Sequence, residues 1–479
     1  MTKPLYDAII VGSGPNGLAA AITLAREGCS VLVMEAETTF GGGARSQELT
    51  LPGFLHDVCS AIHPLGVGSP FFRDLGLEKH GLEFITPPAA VAHPFDDGTA
   101  AVLERSVDAT APSLGEDADA YRRLMSPIAE MWPKIGDDLL APLRPPRHPI
   151  LFTRFGLKAM QSAAGLARRT FRGEKGRGVF AGLAAHSILP LEAPFTASFG
   201  LVLGALAHTV GWPVARGGTG SISAAMISLL RSLGGELVAG ARVENVDDLP
   251  PAKAVLFDVS PRQLVRIAGH RFPSGYRRRL ERYRYSPGAY KIDWALDGPI
   301  PWKAAECARS ATVHLGPTLD AISASERAAW STQPSEQPFV LVAQQSLFDP
   351  TRAPEGKHTG WAYCHVPNGS APGTLRVMTE RIEGQVERFA PRFKERILAR
   401  HVMTPADFER YNANYIGGDI GGGANDIFQL FTRPVPRLNP YSTPDPALFL
   451  CSASTPPGGG VHGMCGCHAA RSALAAIRK

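Results

Sequence analysis

The sequence predicts an α/β fold, in which a parallel sheet of Rossmann type is interleaved with an α+β substrate lobe. Three observations support this. A strand, a glycine-rich turn, a helix and a second strand follow each other within residues 6–35. Apolar strands near residues 254 and 447 have the short, continuous character of buried parallel strands. The length of 479 residues exceeds the size of roughly 250–300 residues at which single cores stop growing.

The N-terminal unit is a complete βαβ motif. Ala8 to Val11 form a continuous apolar run that ends at Gly12, as expected for a buried strand. A helix is predicted from Asn16 to Glu27, because residues 18, 21, 22 and 25 place Leu, Ala, Ile and Ala on one face. Gly28 is suited to cap that helix, and residues 30–35 form the second strand. Parallel pairing of the two strands follows.

The glycine turn carries a dinucleotide fingerprint, Gly12-Ser-Gly14-Pro15-Asn16-Gly17. The first glycine permits a tight turn, the second lets the backbone approach a pyrophosphate at the helix N-terminus, and the third allows close helix–strand packing. Glu35 lies 23 positions after Gly12, close to the roughly 20 expected for the acid that binds the ribose of an adenine nucleotide. The fingerprint by itself does not separate one dinucleotide from another.

Further elements are expected to return to the first sheet. We predict a helix at 221–233, strands at 236–246, 254–259 and 447–451, and a terminal helix at 463–477. The dinucleotide-binding domain is therefore predicted to be discontinuous, with segments 1–86, 214–261 and 411–479. Residues 87–213 and 262–410 are predicted to form the substrate lobe.

Composition excludes several classes of protein. A hydrophobic content of 44% and a charged content of 19% are typical of a folded globular chain. The net charge of +5 gives no indication of nucleic-acid binding. Seven scattered cysteines form no disulfide framework and no zinc-ligand spacing, so a reducing, cytoplasmic location and no metal are expected. The charge-free stretch 193–215 contains prolines and glycines, and a buried helix is predicted there rather than a membrane span.

Two further motifs lead to a family. Gly41-Gly42-Gly43-Ala44-Arg45 follows the second strand, and Leu448 to Gly463 reads LFLCSASTPPGGGVHG. Together with the fingerprint, Pro52-Gly-Phe-Leu-His56-Asp57 and Gly217-Gly-Thr-Gly220, these motifs resemble those of phytoene desaturase-like FAD-dependent oxidoreductases, a group that includes retinol saturase. The run from Tyr290 to Pro299 is similar to a bacterial branch related to pyridine nucleotide-disulfide oxidoreductase domain-containing proteins, although no Cys-x4-Cys redox pair follows the first unit.

The resemblance implies FAD as the cofactor and a set of residues that bind it. The second glycine turn would extend the site toward the ribityl chain, and the C-terminal motif would contact the flavin. The implied FAD-binding residues are Gly12, Gly14, Pro15, Asn16, Gly17, Glu35, Ala36, Gly42, Gly43, Arg45, Val243, Ser452, Gly460, Val461 and Met464. A helix that starts near Gly463 would direct its N-terminal dipole at the negative charge of reduced flavin.

Four residues are candidates for the proton transfer that accompanies hydride transfer to or from a flavin. His462 is the first candidate because its neighbours are expected at the flavin ring. His63, Asp57 and His56 follow because they come soon after the second glycine turn, Gly41-Gly42-Gly43, which resembles the family's diglycine motif. Each has a structural alternative, namely a turn cap or a buried, hydrogen-bonded histidine. His462 and the serines at 452 and 454 depart from the carotene desaturase pattern, so a carotenoid substrate does not follow from the resemblance.

The leading hypothesis is an oxidoreductase that desaturates, saturates or isomerises carbon–carbon bonds of an apolar, lipid- or terpenoid-like substrate. A flavin amine oxidase and a non-catalytic flavoprotein scaffold are the alternatives. The electron acceptor, a quinone or oxygen, and self-association into a homo-oligomer stay open. Residues 144–177 contain nine Arg or Lys and one acid, Glu174, interleaved with apolar residues. This pattern predicts either peripheral contact with the inner face of a membrane or a solvated basic helix.

Overall fold

The computed structural model describes residues 6–478 and contains two main sheets. The first is entirely parallel, as the N-terminal motif predicted. Its strands, in spatial order, are Leu448–Leu450, Ala252–Phe257, Tyr6–Val11, Val31–Met34 and Glu236–Val238. The late strands thus return to the N-terminal unit. The strand predicted at 236–246 is wrong in length, because the chain pairs only through Val238 and then turns through Gly240, whose φ is +67°.

The first sheet is buried on both faces, which explains its continuous apolar strands. Ala8 and Ile10 pack with the helices on one face, whereas Ile9 and Val11 pack against Phe257 and neighbouring residues on the other. The predicted helices are present as Pro15–Arg26, Gly220–Ser232 and Met464–Ile477.

The second sheet has seven strands and is mixed. Its order is Ile397–Met403, Gly288–Leu296, His358–Val366, Val340–Ala343, Ser310–Leu315, Ala89–Pro94 and Ala100–Glu104. The pair Ser310–Leu315 and Ala89–Pro94 is parallel, and the other neighbours are antiparallel. The chain also forms two small antiparallel ribbons. One pairs Ser46–Glu48 with Leu55–Asp57, and the other pairs Phe84–Ile85 with Val214–Ala215. The α/β class with a separate mixed sheet is therefore confirmed.

A group of helices covers one face of the second sheet. It includes the helix Thr196–Thr209, which occupies the charge-free stretch and is buried among its neighbours, as predicted. No helix in residues 6–478 combines the length and apolar character needed to cross a bilayer. The helices are Pro64–Gly68, Pro70–Arg73, Val107–Thr110, Ala118–Leu139, Pro149–Ala159, Ala163–Thr170, Glu174–Ala184, Thr196–Thr209, Pro261–Ala268, Ser274–Glu281, Leu319–Ala329, Met378–Phe389, Pro405–Tyr411 and Ile427–Leu430, besides the three named above.

A buried ion-pair network joins distant parts of the chain. Arg352 is fully buried, and its guanidinium donates to Asp57 at 3.0 Å and to Asp349 at 2.8 Å. Asp57 also accepts from the backbone N–H of Thr219 at 2.7 Å and from the hydroxyl of Ser46 at 2.7 Å. Burial acts to raise the pKa of Asp57, but Arg352 and these donors outweigh it and hold the pKa below its usual value.

We predict that Arg352→Leu lowers the free energy of unfolding by about 3–5 kcal/mol, because two buried carboxylates lose their cation. Urea unfolding followed by circular dichroism measures this change. The control is Arg388→Leu, which removes an ion pair with Asp96 whose side chains are 35% and 54% exposed, and which should cost at most about 1 kcal/mol. Equal losses in the two variants would contradict the structural role of Arg352.

Candidate active site

One cavity of about 860 Å³ connects the fingerprint turn with the second sheet and the helical group. Thirteen of the predicted cofactor-binding residues line it: Gly12, Gly14, Pro15, Asn16, Glu35, Ala36, Gly42, Gly43, Arg45, Val243, Ser452, Gly460 and Val461. Gly17 and Met464 do not line it. Both lie close behind the wall, Gly17 in the first turn of its helix and Met464 at the start of the C-terminal helix.

The fingerprint turn lines the cavity and packs closely against Asp258. A side chain at Gly14 would come within 2.5 Å of the Asp258 carboxylate, so no larger residue fits there. The Oδ1 atom of Asn16 is buried and has no partner in the structure. The helix Pro15–Arg26 begins at this turn, with its N-terminus toward the cavity. A glycine turn at a helix N-terminus is a setting in which proteins bind phosphate, and the amide oxygen of Asn16 can accept from a hydroxyl or N–H group of a bound molecule.

Glu35 is held by the turn itself. One carboxylate oxygen accepts from the N–H of Ser13 at 2.9 Å, and the other accepts from the N–H of Glu37 at 3.0 Å. Arg45 lies 3.6 Å away and donates to the carbonyl of Phe40 at 3.2 Å. The acid therefore stabilises the turn, and it also lines the cavity where the ribose of an adenine nucleotide is expected.

Asp258 is a site residue that sequence reasoning missed. It follows the strand Ala252–Phe257 at the carboxyl edge of the first sheet and accepts from the N–H of Gly17 at 2.9 Å. Burial raises its pKa to about 7, and the Glu35 charge adds to the shift. A signal was present, since Asp258 is the first polar residue after a buried strand, the position at which ligands meet an open α/β sheet.

His462 is the first catalytic candidate, and both of its ring nitrogens are hydrogen-bonded to the backbone. Its Nδ1 accepts from the N–H of Met464 at 3.0 Å, so its Nε2 carries the proton and donates to the carbonyl of Gly458 at 3.1 Å. Burial lowers its pKa to about 4. The ring lines the cavity, but both nitrogens hold the turn before the C-terminal helix. This bonding favours the structural alternative for His462.

His63 keeps one free nitrogen at the cavity wall. The hydroxyl of Thr219 donates to the carbonyl of Ser60 at 2.6 Å and therefore accepts from His63 Nε2 at 3.0 Å. The Nδ1 atom of His63 is then an acceptor, and it has no partner in the described chain. Burial lowers the pKa of His63 to about 4. It can accept a hydrogen bond from a bound molecule.

His56 and Asp57 do not line the cavity. The Nε2 atom of His56 shares a hydrogen bond of 2.8 Å with the hydroxyl of Thr50, and its Nδ1 atom lies 3.6 Å from the buried carboxylate of Asp293. Asp57 belongs to the Arg352 network described above. The hypothesis that these two residues contact substrate is not supported by their placement, because the strand Leu55–Asp57 directs both into buried polar contacts.

The far end of the cavity is apolar and aromatic. Its wall combines one face of the second sheet with the helical group, and it includes Phe155, Phe195, Phe199, Val202, Trp212, Leu341, Trp361 and Tyr363. Asp138 is the one carboxylate on this part of the wall among the described residues, and it is neutralised by Arg144 at 2.9 Å. His186 also lines this end. The sequence offered no signal for His186, because its partners are distant in the chain.

The two cysteines near the C-terminus are packed rather than exposed. Cys465 and Cys467 are both buried. The thiol of Cys465 contacts the carbonyl oxygens of Thr455 and Gly458 at 3.4 and 3.3 Å, and burial raises its pKa to about 12. Across residues 6–478, no group of three or more His, Cys, Asp or Glu side chains is arranged so that it could hold a metal ion.

Known proteins are similar to this chain in sequence and in fold. Residues 10–75 match the NAD(P)-binding Rossmann-like domain. Pyridine nucleotide-disulfide oxidoreductase domain-containing protein 2 of Mus musculus is 28% identical over 98% of this chain and 93% of its own length. The neurosporene-forming phytoene desaturase of Rhodobacter capsulatus is 25% identical over 97% and 93%. A putrescine oxidase structure superposes with a TM-score of 0.61, at 17% identity and 99% coverage of both chains.

The resemblance inferred from the motifs is therefore confirmed. The chain carries an NAD(P)-binding Rossmann-like domain and is homologous over nearly its whole length to these oxidoreductases. The putrescine oxidase likeness, at its low identity, shows a shared fold.

The position of Asp258 predicts a dependence of stability on pH. A carboxyl group whose pKa is higher in the folded than in the unfolded chain binds more protons when folded, so stability falls as pH rises between the two values. For Asp258 that window runs from its usual 3.8 to about 7. We expect Asp258→Asn to raise the melting temperature of the apoprotein more at pH 8 than at pH 5.

Differential scanning fluorimetry at the two pH values checks this expectation. The control is Asp248→Asn, which changes an exposed carboxylate and should shift the melting temperature equally at both. A gain for Asp258→Asn that is the same at pH 5 and pH 8 would show that the carboxylate is not destabilised by burial.

Proposed function

We propose that this protein is an FAD-dependent oxidoreductase that forms, removes or moves carbon–carbon double bonds in an apolar, lipid- or terpenoid-like substrate. The observation that carries the proposal is the continuity of one cavity from the fingerprint turn to an aromatic compartment without a free charge. The homologues support oxidation–reduction chemistry. The phytoene desaturases among them are named for reactions at carbon–carbon bonds.

The residues present fit FAD. The pyrophosphate would lie against Gly14 and the helix N-terminus, and Asn16 Oδ1, an acceptor without a partner among the described residues, would accept from a hydroxyl of the cofactor. Glu35 would receive hydrogen bonds from the ribose. The N-terminus of the helix Met464–Ile477, behind Val461, would stabilise negative charge on the reduced ring by up to about 2 kcal/mol. When bound, FAD supplies the hydride chemistry.

The protein's own contribution is orientation and exclusion of water. Phe199, Val202 and Leu341 would hold an apolar chain against the far wall, away from solvent. An amine substrate would need a carboxylate to hold its ammonium group. Asp138 is already bound by Arg144 and by the N–H of Arg147 at 2.8 Å, so the compartment favours an uncharged substrate over an amine.

We expect purified protein to be yellow and to release FAD, not FMN, on heating. Gly14→Val should abolish flavin binding because its side chain would come within 2.5 Å of the Asp258 carboxylate and displace the fingerprint turn, whereas Cys465→Ala should retain flavin because Cys465 is a buried packing residue. Chromatography of the heat-released cofactor measures both.

Anaerobic mixing of the holoprotein with terpenoid, fatty-acid and amine panels then tests the reaction. Reduction of the flavin by an amine alone would select the amine oxidase, and no reduction by any member would select the non-catalytic scaffold. Recovery of FMN, or failure to bind FAD after reconstitution, would overturn the proposal. Reoxidation by added quinone or by oxygen identifies the electron acceptor.

We further propose that the open end of the cavity contacts an anionic membrane surface. Met160 lines the cavity and is 57% exposed, and its carbonyl accepts from the N–H of Phe195, whose ring packs on Phe431 at 5.2 Å. Ile150 and Leu157, on the helix Pro149–Ala159, are 76% and 67% exposed. An apolar rim of this kind suits a bilayer interface.

Charge on the same helix favours anionic lipid. Arg154 and Lys158 form no ion pair in the part of the chain that the structure describes, and residues 139–173 contain no acid. Each such residue near an anionic surface contributes about 1 kcal/mol. Of the apolar residues in this segment, Phe155 and Leu166 are turned inward, so the rim is narrower than the sequence pattern indicated.

Co-sedimentation with phosphatidylserine vesicles tests the membrane proposal. Wild type should pellet at low salt, and Arg154→Glu/Lys158→Glu should shift most of it to the supernatant. The control Arg278→Glu/Arg279→Glu makes the same charge change on the helix Ser274–Glu281, which packs on the first sheet, and should pellet like wild type. Wild type that stays in solution at low salt, or that elutes as an oligomer burying this helix, would contradict membrane contact.

A further inference from the structure

Three histidines meet beside the apolar compartment, and only one of them reaches the cavity. His186 is half-buried, lines the cavity, and its Nε2 lies 3.2 Å from Nε2 of His314. His314 and His93 are fully buried behind it. A side chain at Gly182 would come within 2.8 Å of His314 Nδ1 and 3.2 Å of His93 Nδ1. The helix Glu174–Ala184 therefore uses glycine where it crosses the two buried rings.

Hydrogen bonding constrains the protons in this cluster. His93 Nε2 donates to the carbonyl of Gly316 at 2.7 Å, so its Nδ1 is a bare acceptor. Between His186 and His314 a single proton lies on the line joining the two Nε2 atoms, because one nitrogen must donate and the other accept. When a proton is added at Nδ1 of His186, the proton on its Nε2 can therefore move to Nε2 of His314.

We propose that His186 is the residue that exchanges a proton with the substrate, and that His314 positions its ring and accepts the proton that His186 passes on. This proposal rests on the proposed function. It is favoured over His462, which has both nitrogens bonded to the backbone, and over Asp138, which is bound by Arg144. His63 has a free Nδ1, but its Nε2 is bonded to the hydroxyl of Thr219 and not to a second base that could take the proton on.

The step balances for a desaturation. One carbon–hydrogen bond of the substrate breaks with its electron pair leaving as hydride to oxidised flavin. The neighbouring carbon–hydrogen bond breaks with its electrons forming the new double bond, and its proton goes to Nδ1 of His186. The Nε2 proton of His186 moves to His314 as this happens. A quinone or oxygen would then take up the two electrons and the proton of the hydride together with this proton and would leave as the hydroquinone or hydrogen peroxide, which balances the cycle. Saturation would follow the substrate steps in reverse.

The surroundings keep the pair neutral before reaction. Burial lowers the pKa of His186 to about 3, and the buried His365, which is bound to Glu326 at 2.9 Å, acts in the same direction. Burial also holds the pKa of His314 well below its usual value, with further lowering by His186 and His93. Trp212, which packs edge-on to His186 at 5.8 Å, adds no charge. Both imidazoles are therefore uncharged at neutral pH before the reaction.

The test is anaerobic stopped-flow reduction of the FAD holoprotein by the member of a terpenoid panel (limonene, geraniol, phytoene) that reduces wild type fastest. His186→Gln should slow reduction by about 10²–10⁴-fold, with flavin content and the concentration giving half-maximal rate unchanged. His186→Ala should regain part of the rate on addition of imidazole, because the residue lines an open cavity. The control His208→Gln changes a half-buried histidine that does not line the cavity and should react like wild type.

A second measurement addresses His314 without any substrate. Nitrogen-15 NMR of histidine-labelled holoprotein should show His186 in one tautomer in wild type and in a mixture of tautomers in His314→Gln. Identical His186 signals in both would overturn the role of His314. Reduction of His186→Gln at the wild-type rate, or absence of imidazole rescue in His186→Ala, would overturn the role of His186. A wild type that no panel member reduces means that the proposed function itself has failed.

Discussion

The buried pair of Asp57 with Arg352 is the constraint on which the arrangement of the cavity depends. Asp57 ends a small ribbon next to the diglycine turn, and Arg352 comes from the segment between two strands of the second sheet. Because a buried charge without its partner is costly, the two segments must close on each other. Their closure also fixes the position of Thr219, because its N–H donates to Asp57 and its hydroxyl accepts from His63 Nε2. One ion pair thus brings the first sheet's connections against the second sheet.

That closure explains how one cavity obtains two different chemistries. The carboxyl edge of the first sheet contributes backbone N–H groups, a helix N-terminus and the carboxylates of Glu35 and Asp258, which suit a polar dinucleotide. The second sheet contributes Leu341, Trp361 and Tyr363 from neighbouring strands, which suit an apolar molecule. Neither sheet has both characters, so the reactive junction exists only where they meet.

What the sequence could predict follows from the range of the interactions involved. The fingerprint, the diglycine and the C-terminal motif are local, since each combines a strand, a turn and a helix within a few residues, and the parallel sheet followed from them. The pairs Asp57–Arg352 and His186–His314 join residues 295 and 128 positions apart, and no local pattern announces them. In the sequence, proximity to a motif makes Asp57 and His56 catalytic candidates, whereas in the structure they contact buried polar groups and do not line the cavity. The predicted length of the strand at 236–246 is wrong for a related reason, because the end of the strand Glu236–Val238 is set by its pairing with Val31–Met34.

The charge of the groups that line the apolar compartment affects which class of substrate it can hold. An ammonium substrate brings a positive charge that must be matched inside a low-dielectric wall, and an unmatched charge there is costly. The described wall offers Asp138, but its two oxygens are already taken by Arg144 and by the backbone of Arg147. A hydrocarbon has no such requirement, and it gains from each apolar contact by about 25 cal/mol per Å² buried. The proposed preference for uncharged substrates therefore depends on the way in which this one carboxylate is neutralised.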